Sequence, residues 1–194
     1  MIYMFGKDIQ FKIERLTADT RNFVGSFSCG NLEINDYINN EEAFYDCETV
    51  TYLLLEKDDN DQFTKLIGFL SLSCSAIIKD LDSVDSDGRP YDELVPAALI
   101  EYFAITEEYH GMPYDQGEDI TFSEVVFSMF IVRIMRILKE FIGAQYIILC
   151  ATKEAYNFYR KCNFGDFEED MGYSNDPHTS DCIPMYLMVD CSKS

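Results

Sequence analysis

The chain has 194 residues, of which 47% are apolar, and it carries a formal charge of −20 at pH 7. This length and apolar content can fill the core of one domain, so we expect residues 1–194 to form a single domain. A surface this negative repels nucleic-acid phosphates and anionic lipids, and it attracts cationic ligands or basic protein partners.

The composition also argues against membrane and metal chemistry. No apolar run reaches the roughly 18 residues that span a bilayer, and the N-terminus lacks the pattern of a signal peptide. Two histidines and no CxxC pair predict no metal site. Three of the seven cysteines, Cys74, Cys150 and Cys182, lie in apolar runs. We therefore predict reduced core cysteines and a cytoplasmic protein.

In chain order, the first predicted elements are a strand, an interrupted helix and a hairpin. Polar and apolar residues alternate over residues 10–16, which indicates a half-buried strand. Asn31 is a typical N-cap for a helix that the pair Asn39 and Asn40 interrupts. Strand patterns over residues 49–56 and 65–78, with a polar turn between them, predict two antiparallel strands.

The middle of the chain predicts a strand followed by a long helix. Residues 97–106 form an apolar strand, and a loop follows over residues 107–120. Thr121 and Glu124 have the spacing of a capping box, which opens the longest helix. Gly143 closes that helix.

The stretch over residues 146–164 contains the next strand and helix. Residues 146–150 are apolar and rich in β-branched and aromatic types, as in a buried strand. Thr152 is a suitable N-cap for a helix that carries Tyr159 on its apolar face, and Asn163 is a suitable left-handed stop. Residues 183–190 form the last predicted strand.

This order of elements predicts an α/β fold. Hairpins require antiparallel neighbours, whereas the strand–long helix–strand unit over residues 97–150 requires a parallel pair. We therefore expect a central mixed, mostly antiparallel sheet with helices on both faces.

Three stretches resemble the GNAT N-acetyltransferases: IEYFAITEEYHG at residues 100–111, FIGAQYIILCA at residues 141–151 and AYNFYRKCNF at residues 155–164. The last is similar to the family signature A-x-x-F-Y-x-K-x-G-F, with Asn163 in place of the glycine. Residues 66–73 are similar to the family's third strand. The chain looks most like the branch that includes antitoxin-paired, tRNA-acetylating toxins, and the resemblance implies a GNAT-type acyl-CoA N-acyltransferase fold.

The resemblance also implies a co-substrate and site residues. Acetyl-CoA would place its pantetheine along the backbone of the fourth family strand, and Tyr159 would protonate the leaving thiolate as a general acid. The alternative for Tyr159 is a core residue with a satisfied hydroxyl. The cofactor-binding residues implied are Phe103, Ala104, Ile105, His110, Gly111 and Asn157.

A base is needed to keep the attacking amine neutral. Glu101 and Tyr102 are the ionisable residues on that strand, and alternation places them on opposite faces. The apolar neighbours of Glu101 suit a carboxylate with a raised pKa. Glu101 is equally a solvated carboxylate at a strand end, with water as the base.

The clearest departure from the family lies in the pyrophosphate loop. Tyr109, His110 and Gly111 begin it as the family does, but residues 112–119 replace its compact glycine pattern with a longer acidic stretch. No lysine or arginine occurs between Arg89 and Arg133. Carboxylates in this place repel phosphates and satisfy the helix dipole themselves, which puts acetyl-CoA binding in question.

Three functions remain open from the sequence. The first is an acetyl-CoA-dependent N-acetyltransferase that acts on a small amine or a protein amine, with a homodimer or a basic protein as a further partner. The second is a toxin-type enzyme that acetylates aminoacyl-tRNA. The third is a GNAT-fold interaction module that has lost acetyl-CoA binding. The second would need a basic face, for which the nearest residues are Arg133, Arg136, Lys139, Lys153, Arg160 and Lys161.

Overall fold

The computed structural model describes residues 2–5, 9–79, 84–89, 93–114, 119–173 and 182–189. The strands in these ranges are β1 (Ile2–Phe5), β2 (Ile9–Arg15), β3 (Thr49–Lys57), β4 (Phe63–Lys79), β5 (Glu93–Ile105), β6 (Tyr146–Ala151), β7 (Gly165–Asp166), β8 (Gly172–Tyr173) and β9 (Ile183–Met188). The α-helices are α1 (Leu32–Asn39), α2 (Glu42–Tyr45), α3 (Phe122–Ile137) and α4 (Tyr156–Lys161). The predicted mixed α/β class is confirmed.

The chain divides into two compact units, residues 1–72 with 101–130 and residues 73–100 with 131–194. Strands β4 and β5 and helix α3 contribute residues to both units. The expectation of a single domain over residues 1–194 stays a prediction.

The first unit is built on strands in the order β1-β2-β3-β4-β5. Strands β1 and β2 are antiparallel, as are β2 and β3, which pair from Gln10 opposite Lys57 to Arg15 opposite Tyr52. The core of this unit includes Leu53, which is fully buried. Strand β1 was not predicted, because its four residues are too few to show a period.

The helices of the first unit follow the predicted interruption. The Ile34 amide donates to the Asn31 side-chain oxygen at 3.2 Å, which confirms the N-cap. Helix α1 ends at Asn39, and α2 begins three residues later at Glu42.

Glycine is required at Gly68 on β4, because a Cβ there would lie 2.7 Å from the Ala104 carbonyl oxygen.

The second unit is built on strands in the order β4-β5-β6-β9-β7, with β8 beside β4. Strands β5 and β6 are parallel, from Ala97 opposite Tyr146 to Ile100 opposite Leu149. This confirms the predicted parallel pair. Strand β9 is antiparallel to both β6 and β7. The core of this unit includes Ile148 and Tyr146.

The cysteine prediction is wrong for three residues. Cys150 and Cys182 form a disulfide with their Cα atoms 5.6 Å apart, and Cys74 is exposed. Ala151 lies opposite Ile183 in the antiparallel pair of β6 and β9. Cys150 and Cys182 are therefore diagonal neighbours on one face, a relation that the sequence shows only once the register is known.

Helix α3 differs slightly from its prediction. It ends at Ile137, and a single π-helical turn over Leu138–Ile142 continues the chain to Gly143. Gly143 has φ of 73°, so the left-handed stop is confirmed. In the described part of the chain, no helix combines the length and the apolar character needed to cross a bilayer.

Candidate functional site

Helix α4 presents the predicted general acid. The chain leaves β6 at Ala151, and the Thr152 hydroxyl accepts a hydrogen bond from the Ala155 amide at 3.3 Å. The Tyr156 amide donates to the Thr152 carbonyl at 3.0 Å. Thr152 therefore organises the first turn as predicted, although the regular α-helix begins only at Tyr156.

Tyr159 is half-buried on α4. Its ring packs edge-on against Phe158, with centroids 5.2 Å apart, and against Phe164, with centroids 6.1 Å apart. Burial raises the pKa of the Tyr159 phenol well above its ordinary value, and the nearby Cys162 thiol adds to the shift. A phenol whose pKa is at or above its ordinary value is protonated at neutral pH, so Tyr159 has a proton to donate.

Asn163 explains how the signature tolerates the loss of its glycine. Its φ is 67°, in the left-handed region. Asparagine enters this region more readily than other residues with a Cβ. The Phe164 amide then donates to the Tyr159 carbonyl at 3.1 Å, which closes the helix as predicted.

The same unit contains Asn157 and the predicted basic residues. Asn157 is exposed on α4. Arg136 forms an ion pair with Glu140 at 2.9 Å, so part of its charge is neutralised. Five of the six predicted basic residues are exposed: Arg136, Lys139, Lys153, Arg160 and Lys161.

The first unit contains the strand segment predicted to hold pantetheine. Pairing of β5 with β6 ends at Ile100, so residues 103–105 lie beyond it. Ala104 and Ile105 are buried, and the Phe103 ring packs edge-on against Phe127 with centroids 4.8 Å apart. This end of β5 is therefore packed against other residues of the first unit.

The predicted base lies in the same unit. Glu101 is exposed on β5. Its exposure removes the apolar surroundings on which a base role depended, and it favours the alternative of a solvated carboxylate.

Tyr102 forms a tyrosine pair that the sequence did not predict. It stacks on Tyr37 with ring centroids 4.3 Å apart. Burial raises the pKa of Tyr102, and the negative charges of Glu33, Glu101 and Glu42 raise it further. The half-buried Tyr102 ring therefore lies within the electrostatic influence of three carboxylates. The overall charge of −20 was the only sequence signal of this arrangement, because the residues come from three separate elements.

The described part of the predicted pyrophosphate loop packs against the start of α3 and hydrogen-bonds to it. Tyr109 is buried against Phe122, with ring centroids 4.6 Å apart. Burial raises the pKa of Tyr109 to about 12, with a contribution from Glu108. The Phe122 amide donates to the Met112 carbonyl at 2.8 Å, and Gly111 has φ of 66°. Residues 115–118 of the predicted loop lie outside the described residues.

The predicted capping box at the start of α3 is confirmed. The Thr121 amide and hydroxyl donate to the Glu124 carboxylate at 2.6 Å and 2.7 Å. The Glu124 amide in turn donates to the Thr121 hydroxyl at 3.3 Å. This helix start therefore already has an anionic partner from its own chain.

The His110 side chain also forms a hydrogen bond within the protein. Its ring nitrogen Nε2 donates to the Ile105 carbonyl at 3.0 Å. The bond fixes the tautomer of a neutral His110, with Nδ1 left as the acceptor. The predicted cofactor residue thus stabilises the turn after β5 through its side chain.

The residues present fit one half of acetyl-CoA better than the other. The backbone of residues 103–105 lies beyond the pairing with β6, at the place where the family resemblance puts pantetheine. Fewer hydrogen-bond donors are available for the diphosphate, because donors at the start of α3 already bond to Glu124 and Met112. Among the described residues, no group of three His, Cys, Asp or Glu is placed to hold a metal ion.

No protein-family model matches the chain, and no curated protein matches it in sequence. Solved structures do match. AtaTR bound with acetyl-CoA has a TM-score of 0.68 at 15% identity and covers 94% of both chains. AtaT complexed with acetyl-methionyl-tRNAfMet has a TM-score of 0.62 at 15% identity, covering 92% of this chain and 94% of that one.

A third match is a mutant AtaT toxin, with tyrosine changed to phenylalanine, bound to the C-terminus of the antitoxin AtaR and acetyl-CoA. Its TM-score is 0.56 at 12% identity, covering 92% of this chain and 93% of that one. At these identities the likeness establishes the fold, and the predicted resemblance to toxin-like GNAT proteins is confirmed at that level. The chain has the GNAT acyltransferase fold, in the form that the AtaT toxin shows.

Proposed function

We propose that the chain is an acetyl-CoA-dependent N-acetyltransferase that acts on a primary amine. The observation that carries the proposal is the position of Tyr159, half-buried on the signature helix α4 and packed against Phe158 and Phe164. The fold supports it, because AtaTR shares that fold and was determined bound with acetyl-CoA.

In the proposed reaction each residue has one task. Acetyl-CoA supplies the acetyl thioester when it is bound, and the backbone of residues 103–105 orients its pantetheine. The neutral amine attacks the thioester carbonyl, a C–N bond forms, and the C–S bond breaks. Tyr159 donates its proton to the leaving thiolate. Water takes the proton that the amine loses, since Glu101 is exposed.

The tyrosine pair supports a cationic acceptor. Tyr102 is half-buried and stacks on the buried Tyr37, and the charges of Glu33, Glu42 and Glu101 raise the pKa of Tyr102. An ammonium group over the accessible part of the Tyr102 ring would gain about 0.5–1 kcal/mol, and more beside carboxylates. Polyamines and lysine-containing peptides have this chemistry.

The test has two stages. Isothermal titration of the purified protein with acetyl-CoA measures donor binding. Release of the CoA thiol is then followed with spermine, a lysine peptide and an uncharged amine of similar size. Faster transfer to the cationic acceptors supports the proposal. If neither acetyl-CoA nor a shorter acetyl thioester binds at millimolar concentration, the GNAT-fold interaction module becomes the better account.

Acetylation of aminoacyl-tRNA is the second candidate. One structural match is AtaT complexed with acetyl-methionyl-tRNAfMet, and five of the six predicted basic residues here are exposed. A tRNA acceptor would require several phosphate contacts, so its binding would weaken steeply with salt. Transfer to charged tRNA in the same assay, lost after Lys153→Glu with Arg160→Glu, would favour it. An antitoxin partner belongs to this candidate alone.

A further inference from the structure

At the start of α3, three backbone amides already donate hydrogen bonds within the chain. The amides of Phe122 and Glu124 donate to Met112 and Thr121. The Val125 amide donates to the Thr121 carbonyl at 3.2 Å. A helix start binds an anion through free amides, and these amides are occupied.

The charges near this helix start are also unfavourable for a diphosphate. Glu124 places its carboxylate on Thr121, where a phosphate would otherwise accept hydrogen bonds. The Lys65 ammonium lies 5.7 Å from the centroid of the Tyr109 ring, and it forms an ion pair with Glu108. The sequence between Arg89 and Arg133 contains no lysine or arginine.

The turn before this helix adds a third carboxylate. The Glu107 amide donates to the Ser28 carbonyl at 3.0 Å, which fixes the turn beside Gly30. The Glu107 carboxylate oxygen lies 2.8 Å from the position that a Cβ on Gly30 would take. Glu107 is therefore packed in place beside the turn.

We infer that the donor is recognised through its acyl-pantetheine part, and that the diphosphate and the nucleotide add little affinity. The inference rests on the proposed function and names its donor class: short acyl thioesters of pantetheine, with or without the nucleotide. The backbone of residues 103–105 supplies the pantetheine contacts, whereas the start of α3 offers the diphosphate mainly carboxylates and occupied amides.

The expected effect is large enough to measure. One charge-assisted hydrogen bond to a phosphate changes affinity by roughly tenfold to a hundredfold. A protein that held the diphosphate with several such bonds would bind acetyl-CoA far more tightly than acetyl-pantetheine. This chain should bind the two within about threefold of each other.

The experiment titrates the full chain calorimetrically with acetyl-CoA and with acetyl-pantetheine. Similar dissociation constants support the inference. A preference for acetyl-CoA of about thirtyfold or more would overturn it and leave the proposed transferase intact. Binding of neither ligand would overturn both. Both titrations use the same buffer, so that the two dissociation constants can be compared.

Salt dependence supplies an independent measure. Between about 50 mM and about 500 mM NaCl, screening of carboxylate–phosphate repulsion should leave acetyl-CoA affinity unchanged or raise it. A steep fall in affinity would reveal cationic phosphate contacts and overturn the inference. The affinity for acetyl-pantetheine, which carries no charge, should not respond.

A charge-neutral variant tests the helix start directly. Glu124→Gln keeps an acceptor for Thr121 and removes one repulsion, so it should tighten acetyl-CoA severalfold and leave acetyl-pantetheine unchanged. Glu48→Gln is the matched control, since Glu48 is exposed in the connection before β3. If Glu124→Gln weakened acetyl-CoA selectively, the inference would be wrong.

Discussion

Tyr159 is the residue whose chemistry is easiest to isolate. Tyr159→Phe removes the proton donor and keeps the ring that packs on Phe158 and Phe164. We expect kcat to fall by about a hundredfold or more, because general acid catalysis contributes on that scale. Donor affinity, measured calorimetrically, should be unchanged.

Tyr156→Phe is a matched control on the same helix. The Tyr156 hydroxyl donates to Asp166 at 3.0 Å, and this change should leave kcat close to that of the unmodified protein. Because the pKa of Tyr159 is raised, its phenol stays protonated as pH rises from about 7 to about 10. Loss of kcat within that range by titration of Tyr159 would contradict the assignment.

Asn163 provides a test of backbone strain. Asn163→Ala places a residue with no local hydrogen bond in the left-handed region, and it should cost about 1 kcal/mol of unfolding free energy. Asn163→Gly restores the family residue and should be neutral or slightly stabilising. Urea denaturation of both variants measures the difference, and equal stability of the two would argue against strain.

Interactions between residues close in sequence could be predicted, whereas interactions between residues far apart in sequence could not. Thr152, Asn163 and the Thr121 pair with Glu124 act within four residues of themselves, so the sequence contains the whole interaction. The tyrosine pair of Tyr37 and Tyr102 depends on two elements that meet only in the fold. The sequence pattern of either element does not show that these two side chains come into contact.

At the scale of elements, the capping box of α3 should contribute measurably to stability. Thr121→Ala removes the hydroxyl that caps Glu124 and should cost about 1 kcal/mol of unfolding free energy. Thr121→Ser keeps the hydroxyl and should cost much less. A similar loss for both variants in urea denaturation would show that the methyl group of Thr121 matters instead.

Strand prediction succeeded where the strands are long. Strands β3, β4 and β6 have continuous apolar runs, and their bounds lie within two residues of the predictions. Strand β5 begins at Glu93, four residues before the predicted start. Proline is uncommon inside strands, so the sequence analysis assigned Pro96 to the preceding loop. The two-residue strands β7 and β8 exist only through their partners, so no local pattern could predict them.

At the scale of the whole molecule, the disulfide is the strongest constraint on the second unit. Cys150 and Cys182 are 32 residues apart in sequence. Closing a loop of that length lowers the entropy of the unfolded chain and stabilises the fold by about 3–4 kcal/mol. Cys150→Ser combined with Cys182→Ser should lose that amount, measured by denaturation without reductant.

Cys47→Ser is the matched control, because Cys47 is an exposed free cysteine. It should leave stability unchanged. Adding reductant should lower the stability of the unmodified protein to that of the double variant and should not affect the double variant itself. Equal stability of all three proteins without reductant would show that the pair does not constrain the chain.

Two features at this scale could not be located from the sequence. The charge of −20 is a sum over the sequence, and it does not show where carboxylates cluster, such as those whose charge raises the pKa of Tyr102. The pairing of Cys150 with Cys182 depends on the register of β6 and β9. Register is a property of the folded sheet, so counting cysteines pointed instead to free thiols.

The disulfide also determines how the chain survives cleavage. The chain from Cys150 to Cys182 and the disulfide between them form a covalent ring that includes α4 and Tyr159. A protease that cuts one peptide bond inside the ring leaves both pieces joined through the two sulfurs. A molecule cut between Cys150 and Tyr159 therefore keeps Tyr159 attached to β6 until a thiol reduces the disulfide.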